Sequence, residues 1–181
     1  MLFRSRLARG RVEPGTLDAF FRQAEGIMRN GIVKDLQGND LRVRYSNCVR
    51  IAVLHHHPYD RRSTTLMENS DEFVEYCLRT GMHLVLFGHD HKEFWLARFG
   101  DSELAGQNFH QTIFFCCPSA SEFRSDQGFY LFDLDDRGFN FTFYKWRDEN
   151  FVPGGLDENS QFLRGAPQRF HFSHSLAFMP S

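Results

Sequence analysis

A chain of 181 residues is long enough to bury a core of its own, and 41% apolar against 24% charged residues is the balance of a globular protein, not a disordered one. A net charge of −2 leaves no basic footprint for nucleic acid or an anionic membrane surface. No apolar run reaches the roughly 18 residues that a spanning helix needs, and Met1-Leu2-Phe3-Arg4-Ser5-Arg6 puts charges where the apolar part of a signal peptide belongs, so a soluble, cytoplasmic protein is expected.

Residues 1–13 are basic and read as extended. Leu17, Phe20, Phe21, Ala24, Ile27 and Met28 recur at helical spacing and predict a helix over Pro14–Asn30, capped by Thr16 and stopped by Asn30-Gly31. Ile32–Ser46 alternates weakly about Gly38-Asn39-Asp40, the signature of a hairpin turn. Val49–Leu54 is the first short apolar strand, followed after Pro58 by a polar loop, Tyr59–Thr65, that carries Arg61 and Arg62. A second helix is predicted over Ser70–Thr80. Asn69 and Glu72 have capping-box spacing, Phe73, Val74, Cys77 and Leu78 form the apolar stripe, and Gly81 is the stop. His83–Phe87 is the second apolar strand, so strand, helix and strand predict a right-handed βαβ unit.

Beyond it, Phe94–Phe99, Thr112–Cys116, Phe129–Leu134 and Phe139–Trp146 read as β segments, with a hairpin at Asp135-Asp136-Arg137-Gly138. Val152–Ser181 loses periodicity and is expected as a loosely ordered tail or an arm onto a partner. Twenty-one phenylalanines point to a core rich in aromatic rings. Cys48, Cys77, Cys116 and Cys117 show no framework spacing and are expected as thiols.

The chemistry concentrates where the two apolar strands end in imidazoles, at His55-His56-His57-Pro58 and Gly88-His89-Asp90-His91. Ligands of open α/β sheets gather outside the carboxyl ends of such strands. Neutral imidazole suits zinc, iron and manganese. An extended backbone aims His89 and His91 to one side, Gly88 permits a sharp turn, and Pro58 ends ladder pairing so that His56 is presented at a strand end. The same alternation turns His55 and His57 to the opposite face, and Asp90 is placed to accept a hydrogen bond from a ligand imidazole. His83, His110, His171 and His174 have no motif around them and are expected to be structural.

A strand ending in His-His-Pro, followed by one ending in Gly-His-x-His, resembles the second half of the calcineurin-like metallophosphoesterases. Ala8-Arg9-Gly10-Arg11-Val12 and Pro118-Ser119-Ala120-Ser121 ahead of Gly128–Asp133 extend the likeness over about residues 5–147. The resemblance implies an α/β (α+β) fold, the C-terminal half of a two-sheet metallophosphoesterase sandwich flanked by helices, over residues 1–147, with the tail at 148–181. It implies His56, His89 and His91 as metal ligands, with Asp90, His57 and His55 flanking the site. His56 and His89 would share one metal and His91 would serve the other. The activity implied is hydrolysis of a phosphate ester by a metal-activated hydroxide at a pair of divalent or trivalent ions (Mn, Fe or Zn).

The family's Asp-x-His, Gly-Asp-x-x-Asp and Gly-Asn-His motifs do not occur in this sequence, and no catalytic residue is carried over. Two divalent ions about 4 Å apart repel by about 16 kcal/mol at an effective dielectric of 20, and neutral imidazoles offset none of it. The chain alone is therefore expected to hold at most one metal and not to turn over. A partner half, on the same or another polypeptide, is expected to supply the carboxylates. The alternative readings are a degenerate, non-catalytic interaction module or a single-metal binding protein; a third is a three-histidine hydrolase with one zinc and an open fourth position, which predicts metal-dependent activity from this chain alone.

Overall fold

The computed structural model describes residues 14–58, 67–88, 94–102, 107–117, 127–153 and 168–172. Helix α1 (Pro14–Asn30) spans the residues that the apolar spacing predicts. It closes on Gly31, whose N–H donates to Ile27 O at 2.8 Å with φ +61°, the left-handed cap that glycine adopts without a Cβ penalty. Strands β1 (Ile32–Lys34) and β2 (Asp40–Arg42) form the expected hairpin, pairing Val33 with Leu41. The Asp35 carboxylate ties its turn by accepting from the Gln37 and Asn39 amides. A 3₁₀ turn at Tyr45–Asn47 leads into β3 (Ile51–Val53).

Helix α2 (Ser70–Arg79) begins without a side-chain cap: Asn69 occupies the N-cap position but its amide makes no capping bond, contrary to the sequence signature. Its far end is a Schellman motif. Met82 N–H donates to Cys77 O at 2.8 Å and Gly81 N–H to Leu78 O at 2.9 Å, with Gly81 at φ +68°. Strand β4 (Leu84–Phe87) follows at once, then β5 (Phe94–Ser102) and β6 (Gln107–Cys116). These strands form a mixed sheet in the order β3-β4-β6-β5, with β3, β4 and β6 parallel and β5 antiparallel to β6.

The second four-stranded sheet is antiparallel: β7 (Gly128–Leu134) along one edge of β8 (Gly138–Arg147), with β9 (Asn150–Pro153) and β10 (Gln168–His171) pairing β8 as well. Where the sequence suggested a tail, β9 and β10 are strands. Phe170 stands opposite Phe139, and the Arg169 guanidinium reaches the Asp135 carboxylate at 2.6 and 2.8 Å. That bond, together with the Arg137 and Gly138 amides, holds the exposed Asp135 carboxyl below the usual carboxylate range.

Period-two alternation sorts the mixed sheet into two faces. Ala52, Val85, Phe87, Phe114 and Cys116 point one way and pack with Leu17 of α1 and Phe73 and Cys77 of α2. Phe20 and Phe21 of α1 meet Tyr76 of α2, with ring centroids 6.0 and 4.6 Å apart, so the two helices also grip each other on that side. Leu84, Leu86, Ile113 and Phe115 point the other way, into an aromatic cluster shared with Phe139 and Phe141 of the second sheet. Phe115 sits at its centre, edge-on to Phe132 and Phe141 at 4.9 Å. Among the described residues the fold is thus mixed α/β, with three small sheets and few helices. None of the described helices is long and apolar enough to cross a membrane.

Candidate functional site

Because β3 and β4 are adjacent and parallel, with Val53 opposite Leu86, the segments that follow them leave the sheet at the same end. Leu54 N–H still donates to Leu86 O at 3.0 Å, and β3 pairing stops there. His55 is exposed, His56 half-buried and His57 buried, while His56 and His55 lie ring to ring at 5.2 Å. The alternation expected of this segment is therefore lost. His55 and His57 do not share an environment, because the strand has already ended.

His57 is packed inward. Its ring packs on Phe87 at 4.7 Å, and its carbonyl accepts from Met67 N–H at 2.9 Å, which ties the strand end to the approach to α2. On the β4 side the described chain reaches Gly88. His89, Asp90 and His91 lie outside the described residues, as do Arg61 and Arg62. Among the described residues no group of three or more His, Cys, Asp or Glu side chains is gathered as a metal would need. The structure therefore sets His56 at the carboxyl end of β3, beside the end of β4.

No family model matches this chain, and no curated protein matches it either.

A second polar cluster, missed in the sequence, lies at the opposite end of the same strands. Arg50, immediately before β3, is only 6% exposed. Its Nε donates to Gly81 O at 2.6 Å and its Nη1 to Tyr45 O at 2.6 Å and Cys48 O at 3.3 Å. The guanidinium lies over the Tyr45 ring, 4.7 Å from its centroid, while the Tyr45 hydroxyl donates to Thr80 O at 2.6 Å. The end of α2, where the helix dipole is negative, is thus bound by a cation and a phenol.

His83, just before β4, completes the cluster. Arg50 N–H donates to its Nδ1 at 3.1 Å, and its own N–H donates to Arg50 O at 2.9 Å. The other ring nitrogen, Nε2, lies 3.3 Å from Arg50 Nη2, so the guanidinium reaches the same ring. Burial first, then the neighbouring Arg50 charge, hold the His83 pKa down to about 2, so the ring is neutral. His110 Nε2 and Thr112 Oγ1 both donate to Met82 O at 2.7 Å. The only local signal of this cluster is an arginine inside the apolar run Val49-Arg50-Ile51-Ala52.

Proposed function

We propose that the chain is one half of a dinuclear-metal phosphoesterase, a two-sheet sandwich whose metal site is completed by carboxylates from a partner half. The observation that carries this reading is the parallel β3–β4 pair, which brings the His56 segment and the chain leading to His89 to one end of the sheet. The aromatic contacts between the two four-stranded sheets suit the sandwich.

The donor set is three neutral imidazoles, His56, His89 and His91, which fit a single borderline ion but not a pair. When bound, the ions supply Lewis acidity toward the phosphate and acidify water. The chain's own contribution, among the described residues, is to present His56 just past the carboxyl end of β3. The need for a partner also has support at the edge of the sheet. β3 is terminal among the described strands, and Ile51 and Val53, in register with Leu84 and Leu86 of the aromatic face, are 44% and 75% exposed. An interaction module would use the same edge.

Two measurements separate these readings. The first is the intact mass of the cellular polypeptide. A mass well above 21.2 kDa, with peptides carrying the missing aspartates, is expected for the phosphoesterase; 21.2 kDa and no companion chain would remove that reading. The second is calorimetric titration of the chain with Zn²⁺ or Mn²⁺. One site is expected, lost in His56→Ala, His89→Ala and His91→Ala alike, and binding that survives all three would reject the ligand assignment.

A further inference from the structure

The free edge of the mixed sheet has a defined shape. Leu54 N–H donates to Leu86 O, and Arg50 O accepts from Leu84 N–H, so both residues bond toward β4. Backbone groups alternate sides along a strand, and Ile51 and Val53 therefore direct their N–H and C=O groups away from β4, toward the edge. Their side chains lie on the aromatic face and stay exposed, whereas Leu84, in register with Ile51, is buried. Ala52, between them, points to the other face and is buried with Leu17 of α1. The edge thus offers room beside two large positions on one face and is closed in by α1 on the other.

The second sheet hands the chain to this edge. Phe172, the residue after β10, packs its ring 4.5 Å from that of His83, whose N–H donates to Arg50 O. The polypeptide therefore leaves β10 over the amino-terminal ends of β3 and β4. Residues 173–175 separate Phe172 from Leu176-Ala177-Phe178, and that stretch, extended, reaches about 13 Å, enough to cross the about 10 Å between packed sheets. Large, small and large repeats the order of Ile51-Ala52-Val53, and Pro180, without an N–H, limits pairing to a similar length. On its own, so short an edge falls far short of the about 800 Å² per partner that a stable interface between separate chains buries, but a tethered segment acts at millimolar effective concentration. We propose that Leu176-Ala177-Phe178, which lies outside the described residues, pairs with β3 as a parallel strand, Leu176 and Phe178 beside Ile51 and Val53 and Ala177 on the side of α1. The segment guards the edge against other strands, and a partner chain must displace it to pair there. The proposal does not depend on the phosphoesterase reading, since any chain that adds to β3 meets the same strap.

Amide hydrogen exchange of the full chain, followed by NMR, tests this. The Ile51 and Val53 amides are expected to exchange at least about tenfold more slowly than unpaired amides, and Leu176→Asp and Phe178→Asp are each expected to remove most of that protection. Ser173→Asp adds the same charge ahead of the pattern and is expected to change neither rate. Exchange of both amides at the rate of an unpaired chain would show an open edge and overturn the proposal. Slow exchange that neither substitution at 176 or 178 alters would assign the edge to another segment, and protection that grows with protein concentration would assign it to a second copy. Either of these results also overturns it.

Discussion

At the amino-terminal ends of β3 and β4, Arg50, Tyr45, His110 and Thr112 each reach a carbonyl of a neighbouring segment; at the carboxyl-terminal ends His55 lies open to solvent and His56 is half-buried. The same residue type sits in opposite surroundings at the two ends. His83 is buried, holds its neutral form through burial and the nearby guanidinium, and spends its acceptor on a backbone amide. His56 stands where the strand has stopped and the backbone no longer dictates its surroundings. An imidazole that locks two strands together must be enclosed, whereas one that takes a ligand must be reachable. Stability and chemistry are therefore expected to separate along a single pair of strands.

Substitutions at the two ends test that separation. The largest effect is expected from Arg50→Met, which strips the donors from the buried carbonyls of Gly81 and Tyr45. A loss of about 3 kcal/mol by chemical denaturation follows from leaving such groups unpaired. Next comes acid. The unfolded chain takes up a proton on His83 below about pH 6.5, whereas the folded chain refuses it down to about pH 2, so stability falls as pH drops through that window. Between pH 7 and pH 5 the loss is about 2 kcal/mol, and His83→Asn flattens the slope; an unchanged slope in that variant would mean that His83 is not the group responsible.

Smaller again is Gly81→Ala, which forces a Cβ into the left-handed cap of α2 at a cost of about 1 kcal/mol. Last is His56→Ala. At the carboxyl end it should shift stability by less than about 0.5 kcal/mol while removing metal binding. A large destabilisation there would erase the contrast between the two ends.

Much of the architecture is legible in the chain. The 3.6-residue spacing of Leu17, Phe20, Ala24 and Ile27 delimits α1 to its last turn, and the β7–β8 hairpin follows from Asp135-Asp136-Arg137-Gly138 between apolar runs. What escaped was long-range. Arg50 and Gly81 are 31 residues apart and Tyr45 and Thr80 are 35 apart, and no local periodicity announces a bond between them. β10 escaped because a single alternation, Arg169-Phe170-His171-Phe172, is too short to stand out beside prolines and glycines. At the candidate site the position of His56 was legible from the strand and Pro58, but the opposed faces of its neighbours were not. Period two ceases to apply once β3 ends at Val53.

The pairing of β10 with β8 has a consequence for how the protein is made. Gly138, at the head of β8, lies so close to the β10 backbone that a Cβ there would collide with Phe170 O. Phe170 stacks on Phe139 and Phe141, with ring centroids 5.4 and 5.6 Å apart. During synthesis β8 leaves the ribosome well before β10, at roughly 5–20 residues per second, so those two rings wait for their cover for seconds. A nascent chain halted before Phe170 presents an unpaired strand edge and bare aromatic rings, the surface that chaperones hold and that aggregation exploits.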